Sequence, residues 1–448
     1  MNRTEETYKQ SALLMKQARH AWNAMRDTRE KRERNKKFTY GDQWSDYMLD
    51  ENGNRVREYD YLKETGKEPL TNNLIRQLVK SVVGRFRQQA AERPSQPRMA
   101  EIRTGNCLDE LDSRAMEEFL ISGCSFQKIE KSAGRPAVDI RNISPAMMLV
   151  NPFSDPRGLD CDLIGEIHET TLAEIVKRLA DGNREKAMHI CHIYENADNV
   201  DDFTTPRRES RVRIVELWKK ESREGFDCHN RRTGEWYFQP FPASDADADI
   251  ERRWCIRDAW RCYWIAPDGN IVSAYDSPYA HRSHPYAFKL YPLTDGEVHS
   301  LVEDVIDQQK YVNRLITLVD HIMGTSAKGV LLYPDTMLPD GYTWDDLRYA
   351  WAKPSAIVPY HPRGGTDRPQ QISTNATDIG AYEMVNLQMR LFEQISGVSG
   401  ALQGQSAGAA TGVALYESQI ANSTVALSDI FESFESFLLQ RDAKALTT

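Results

Sequence analysis

Residue types that hold metals meet at two places in the chain. His189-x-x-His192 encloses Cys191, and Cys228 is followed by His229. Imidazole and thiolate groups bind zinc when four converge, but these spacings match neither a helical His-Glu-x-x-His nor a zinc finger. In Met188-His189-Ile190-Cys191-His192-Ile193-Tyr194 apolar and polar residues alternate, which predicts a strand with Ile190, His192 and Tyr194 on one face. Strand histidines explain that pattern more simply than a metal site. Asp245-Ala246-Asp247-Ala248-Asp249 copies the opening of a calcium loop, yet Ile250 stands at the sixth position, where Gly is needed, and Ile256 at the twelfth, where Glu is needed. A solvated acidic turn is expected there. The glycine-rich stretch 397–412 invites a phosphate cradle, but no Lys-Ser or Lys-Thr follows a Gly-x-x-x-x-Gly and no Rossmann-type strand precedes it. No Gly-x-Ser-x-Gly elbow occurs, and the carboxylates are scattered without an acid-base pair. The reading is therefore no catalytic residue, no cofactor and no metal.

The elements that would have to position such groups are numerous. The chain has 448 residues, enough for about three folding units at about 150 residues each. With 40% hydrophobic and 27% charged residues, 9 Trp and 19 Tyr, it falls outside disordered and collagenous classes. A mean hydropathy of −0.61 implies much charged surface. The longest apolar run is Ala146 to Val150, so no segment is expected to span a membrane. The N-terminus lacks the basic-then-apolar order of a secretory signal, and the seven cysteines are dispersed without a Cys-x-x-Cys, so reduced thiols and synthesis in a reducing cytoplasm are expected. A net charge of −9 argues against gripping nucleic acid over the whole surface.

Residues 5–37 read as one amphipathic helix whose second half is basic, with seven Lys or Arg from Arg26 to Lys37. A solvated helix end and a contact with nucleic acid or an acidic partner both fit, and Arg29, Arg32, Lys36 and Lys37 are the candidates for contact. Thr71-Asn72-Asn73 offers N-caps to a helix ending at Gly84, and another helix is predicted over 107–122, stopped by Gly123. From about 128 to 296 short β-like runs follow: Ala137 to Ile143, Met147 to Val150, Arg213 to Trp218, Trp236 to Phe238 and Cys262 to Ile265. One helix interrupts them, 171–180, with Thr170-Thr171 as its cap. An apolar stripe marks a long helix over 298–323, and Gln308, Gln309, Asn313 and Thr317 beside it suit packing against neighbouring copies. Residues 327–375 form a Pro- and Gly-rich insert of strand (329–333), helix (344–351) and strand (356–359), too small for a core of its own. Helix resumes over about 378–395, the Gly/Ser/Ala-rich loop follows, and a last helix is predicted from Val413 to about Leu439. Helices at both ends of a strand-rich middle make the expected class α+β.

In this order the pieces resemble the portal proteins of short-tailed, double-stranded DNA phages. The segments that carry the resemblance are the basic helix leading into Phe38-Thr39-Tyr40-Gly41-Asp42-Gln43-Trp44, then Leu70-Thr71-Asn72-Asn73-Leu74-Ile75-Arg76 with Val82-Val83-Gly84, and Ile214-Val215-Glu216-Leu217-Trp218. Further on come Ser283-His284-Pro285-Tyr286, the helix 301–313, similar to the family's Asp-x-Gln-x-x-x-Asn signature, and the glycine-punctuated segment from Ile395 to Ala414. The resemblance implies an α+β portal fold: an N-terminal helix (1–37), a strand-rich wing (38–297), stem helices (298–326 and 377–396), a small α/β clip (327–376), a channel loop (397–412) and a C-terminal helical wing and crown segment (413–448). It implies a homo-oligomeric ring, usually of twelve, at one capsid vertex. Double-stranded DNA would pass through it during packaging and ejection. Its partners would be the major capsid protein, the terminase large subunit and head-to-tail adaptor or tail proteins, with no membrane. The channel loop would present Gly397, Ser399, Gly400, Gln403, Gly404, Gln405, Gly408 and Gly412, though a plain surface connection fits the same residues. Stem contacts between subunits would fall on Leu301, Val305, Val312, Leu315 and Val319. The chain ends at Thr448 soon after the last helix, so a long barrel above the crown is expected to be absent or missing from this sequence.

A structural, non-enzymatic DNA channel is thus the leading expectation. A metal-dependent DNA-processing enzyme using the acidic residues and the basic helix is the alternative, and an adaptor or scaffold protein is a third.

Overall fold

The computed structural model describes residues 3–91, 97–132, 137–195, 202–241, 249–326, 330–352, 359–360, 368–372, 380–398, 425 and 427–448. Two helices, α1 (Arg3–Ala24) and α2 (Arg26–Tyr40), precede a hairpin of β1 (Tyr47–Leu49) and β2 (Arg55–Arg57) and a short α3 (Glu58–Glu64). Helices α4 (Leu74–Ala91), α5 (Pro97–Gly105) and α6 (Leu108–Ser122) lead into β3 (Cys124–Lys131), β4 (Val138–Ile143), β5 (Met148–Val150) and β6 (Leu163–Thr170). After α7 (Leu172–Leu179) and α8 (Arg184–Glu195) come β7 (Val212–Asn230), β8 (Trp236–Pro240), β9 (Ile250–Ile265) and β10 (Ile271–Asp276). Then follow β11 (Tyr286–Leu290), β12 (Pro292–Thr294), β13 (Glu297–Val298) and the long α9 (Leu301–Ser326). The last elements are β14 (Val330–Leu332), α10 (Trp344–Ala352), β15 (Gln370–Ile372), α11 (Ala381–Ser396) and α12 (Ser428–Thr447). The class is α+β.

Several expectations needed correction. The N-terminal helix is broken at Met25, where the buried methionine joins the core under β3 and β6. The predicted strand 188–194 is part of helix α8; its alternation also places Ile190 and Ile193 three apart, and these are the two residues α8 buries. Gly84 does not end α4, because its backbone stays helical and the helix continues to bury Phe86. Strands β7 and β9 run far beyond the runs read from sequence, since their outer halves alternate charges and aromatics without an apolar stretch. Helix α5 and strand β15 were not read at all. The expected strand 356–358, residues 245–248 and residues 399–424, which include the first half of the predicted last helix, lie outside the described residues. Gly123 does stop α6: its φ is 70°, and a Cβ there would meet Val298 Cγ1 at 2.9 Å. The capping box at Thr171 and Glu174 likewise starts α7 as expected.

The chain divides into two compact units, one of Met1–Tyr40, Ile75–Ile306 and Ser396–Thr448, the other of Gly41–Leu74 and Asp307–Ile395. Residues 41–74, grouped by the sequence reading with the strand-rich region, therefore pack with the helices and insert that follow α9's first turns. In the first unit an antiparallel sheet runs β10-β9-β7-β6-β5, with β8 beside the outer half of β7. Helix α1 buries Leu14, Met15, Ala18 and Ala21 on one face of that sheet against Leu149, Ile167, Leu217 and Tyr263. The opposite face, with Ile164, Trp218 and Trp264, shares its core with Phe126 and Phe288 of a second sheet, ordered β11-β3-β4. A two-faced sheet explains why Ile214 to Trp218 reads as a continuous apolar run interrupted by one glutamate. Helix α12 closes this unit, stacking Phe434 edge-on against Phe86 at 5.2 Å and beside Phe119 at 5.5 Å. Each such aromatic removed from water contributes about 1.5–3 kcal/mol.

In the second unit β14 pairs with β15 in a short ribbon, and Tyr333 just after β14 meets Trp344 of α10 edge-on at 6.2 Å. Among its described residues only Met337 and Leu347 of the insert are buried apolar side chains, while Leu332, Trp344 and Tyr349 are exposed. An insert with so little interior is short of the burial that stabilises an independent domain.

Candidate functional site

Helix α9 carries a polar ladder at i, i+4 and i+8, which puts Gln309, Asn313 and Thr317 on one stripe. These side chains are only 0%, 1% and 2% exposed. Each meets the extended segment 70–74. Thr317 Oγ1 accepts from the Leu70 amide at 3.0 Å, Asn313 Oδ1 from the Asn72 amide at 3.0 Å and Gln309 Oε1 from the Leu74 amide at 2.8 Å. Gln309 Nε2 returns a bond to the Asn72 carbonyl at 2.7 Å, and Asn313 Nδ2 donates to Gln43 Oε1 at 2.6 Å. Gln43 in turn donates to Asn73 Oδ1 at 2.9 Å, and Trp44 Nε1 to Thr71 Oγ1 at 3.1 Å. The ladder thus behaves as a missing β-strand would, offering side-chain partners to a buried backbone that must be satisfied. Beside it Lys310 pairs with Asp46 at 2.7 Å and Arg314 with Glu58. Gln309, Asn313 and Thr317 were expected to face neighbouring copies; they are instead fully engaged within the chain.

The same holds for three of the five expected subunit contacts. Leu301, Val305 and Val312 are buried inside the chain, whereas Leu315 and Val319 are half-buried. The apolar surface that α9 leaves open is a different one, on Tyr311, Leu318 and Met323. Helix α11 exposes Met384, Leu387 and Ile395 along one face, and Tyr382 and Met389 on the opposite side. Leu318 is 43% and Leu387 48% exposed.

Of the basic residues on α2, Arg32 forks onto Glu118 of α6 at 2.6 and 2.8 Å, so its charge is committed internally. Arg29 lies over the Trp22 ring at 3.4 Å and donates to the Trp22 carbonyl, and burial lowers its pKa to about 10. Lys36 and Lys37 are exposed. Of the expected channel-loop residues only Gly397 is described: it turns the chain at a φ of 67° after α11, followed by the buried Val398. Ser399, Gly400, Gln403, Gly404, Gln405, Gly408 and Gly412 lie outside the described residues.

The alternative of a metal enzyme can be tested on one group. Among the described residues Glu166, His168 and Glu216 bring possible ligand atoms within 4.8 Å of one another. The space between them is already served by a cation of the chain. Lys128 Nζ stands 2.6 Å from Glu216 Oε2 and 2.9 Å from Glu130, with His168 Nε2 2.7 Å from that same Glu216 oxygen. Trp218 Nε1 donates to the other oxygen at 2.8 Å, and Arg141 forks onto Glu166 at 2.8 and 2.7 Å. Burial alone would raise the Glu216 carboxyl, yet the Lys128 ammonium and the His168 ring hold it well below the usual carboxylate range. This is a charge-balanced strut between β3, β6 and β7 rather than a metal centre. His189 and His192 sit on α8, and the His229 ring stacks on Trp236 at 4.3 Å, so none of the histidines singled out from sequence joins it. The strut itself was missed, though a lysine within Cys124-Ser125-Phe126-Gln127-Lys128-Ile129 and a glutamate within Ile214 to Trp218 were its legible signals.

A comparison with protein families matches residues 15–444 to the family described as Phage P22-like portal protein. The chain belongs to this portal protein family. No curated protein matches it at a significant level. Portal proteins are structural components of the virion capsid that form an oligomeric ring, work with capsid, terminase and tail partners, and serve the packaging of viral DNA. No helix among the described residues is long and apolar enough to cross a membrane. The stretches around Gln43, around 70–74 and around Asp307-x-Gln309-x-x-x-Asn313 are the three parts of one hydrogen-bonded clasp in this portal protein.

Proposed function

We propose that this portal protein works as a ring of twelve chains at a single capsid vertex, through which double-stranded DNA enters during packaging and leaves during ejection, and that it has no enzymatic activity of its own. The observation that carries the reading is the uncovered apolar surface on α9 and α11. Apolar side chains open to water on two helices, Leu318 and Met323 of α9 and Leu387 and Ile395 of α11, stabilise nothing in a lone chain, whereas burial against a sister chain contributes about 25 cal/mol per Å². On this reading residues 298–326 and 377–396 are the stem and 327–376 the clip, which meets the terminase large subunit during packaging and the adaptor or tail proteins afterwards. Residues 38–297 and 413–448 form the wing, in contact with the major capsid protein, with 41–74 as the part of it that packs with the stem helices and with the start of the crown at the C-terminal end. Residues 397–412 face the channel, and of the four basic candidates Arg29, Arg32, Lys36 and Lys37 the exposed Lys36 and Lys37 are the ones that meet DNA or an acidic partner. Assembly takes place in the host cytoplasm.

Negative-stain imaging with light scattering on the purified chain tests this. Rings with a central hole are expected. A monodisperse monomer at high concentration that cleaves plasmid DNA when given magnesium or manganese would overturn the reading in favour of a DNA-processing enzyme.

A further inference from the structure

Among the described residues strand β11 lies at the edge of its sheet, paired on one side only with β3. The outward backbone groups of an edge strand must be met by water or by some other partner. Here that partner is α12. Gln440 Oε1 accepts from the Phe288 amide at 2.9 Å, and one turn later Lys444 Nζ donates to the carbonyls of Tyr286 at 2.6 Å and His284 at 2.9 Å. The i, i+4 spacing of Gln440 and Lys444 matches the two-residue step of the strand closely enough for one helix face to stand in for a neighbouring strand. Arg441, between them, is also buried, but it is neutralised by Asp112 at 2.7 and 3.2 Å and by Asp442.

Lys444 has no such compensation. Among the described residues no carboxylate pairs with its amine. Its third neighbour is another base, His284 Nδ1 at 3.3 Å. That nitrogen already accepts from the Tyr286 amide at 3.2 Å, so it must be unprotonated. The other titratable groups around the amine are His281 from the turn before β11 and Cys161 from the loop before β6, with Asp160 and Asp162 beside that thiol. Strand β3 supplies Gln127, which faces Arg441, and Lys131, which acts on His281.

We propose that α12 is an acid-released cover over the free edge of β11, with Lys444 and His284 as the paired trigger. A proton on His284 Nδ1 turns an acceptor into a donor that confronts both the Tyr286 amide and the Lys444 amine. A charged Lys444 in the same enclosure adds a like charge in an apolar setting. As an ammonium Lys444 has three N–H groups for three acceptors, the two carbonyls and the unprotonated Nδ1, so a proton on His284 removes one of the three and sets two cations in contact. Burial lowers the Lys444 pKa to about 7, and it holds His284 well below the ordinary imidazole value, with Lys444 adding to the effect. Both groups bind fewer protons when α12 is docked than when it is released, so acid favours release and the docked form strengthens as pH rises through 7. Release would bare the His284 and Tyr286 carbonyls and the Phe288 amide to a new extended partner.

Hydrogen-exchange mass spectrometry on the full chain, corrected for intrinsic exchange, tests the trigger. Between pH 8 and pH 5.5 protection across 286–290 and 428–447 should fall at least tenfold while that of 212–219 holds. The double variant Lys444→Met, His284→Asn should flatten this dependence, and if it does not fold, the single variant His284→Asn should remove the part of the loss that falls below about pH 6.5, the ordinary imidazole value. Unchanged protection in the native chain, loss in step with 212–219, or an unaltered pH profile in the variants would each overturn the proposal.

Discussion

Lys128 is enclosed completely, and its ammonium is held by Glu216 and Glu130 within a buried polar cluster that also holds His168, Glu166 and Arg141. A buried pair is weak as a net source of stability, but removing one partner strands the other charge, at a cost of about 3–5 kcal/mol. Lys128→Met is therefore expected to lower the thermal midpoint sharply, and adding Glu216→Gln should restore part of it, as read by scanning fluorimetry. The pH dependence follows from the depressed Glu216 carboxyl. Its contribution is present above the unfolded carboxylate pKa and is lost as pH falls through the lower folded value, so the acid-limb loss of stability should be smaller in the double variant. Equal midpoints for the single variant and the native chain would show that the pair carries no structural load.

At the scale of elements, α9 has two kinds of apolar residue. Val305 is inaccessible, while Leu318 is 43% exposed. A helix of 26 residues is about 39 Å long, long enough for its two ends to serve different neighbours. Leu318→Asp puts a charge on the open face and is expected to abolish rings in light scattering while circular dichroism of the chain is unchanged. Val305→Asp should instead unfold the chain, since an unpaired carboxylate would be buried in the core. If Leu318→Asp still assembles, the uncovered face of α9 is not the subunit contact. The clasp of Gln309, Asn313 and Thr317 gives a reason for the polar half of the same helix: it pins segment 70–74 and leaves the rest of α9 to meet other partners.

For the whole molecule, the argument concerns charge and passage. Twelve chains at −9 each would carry −108, which suits a conduit that must not hold phosphates, although at physiological salt such charge acts over only about 8 Å. Deleting residues 399–412 should leave ring assembly intact and reduce the DNA retained in packaged particles, measured as DNA per capsid. Loss of rings would show that the segment is needed for assembly instead.

Read alone, the sequence determined the class, several of the longer helices and the family, because hydrophobic periodicity and glycine or capping punctuation are local properties. Gly123 and Thr171 behaved as read for that reason. Only the tertiary structure decided what each polar residue faces. Gln309 and Asn313 look like surface residues until segment 70–74 is laid beside them, and Lys128 and Glu216 are 88 positions apart yet share one proton-donor contact. The predicted strand at 188–194 failed because six or seven residues of alternation fit a helix face nearly as well as a pleat. A side chain's partner is set by contacts between segments distant in sequence, and neither spacing nor composition along one segment carries that information.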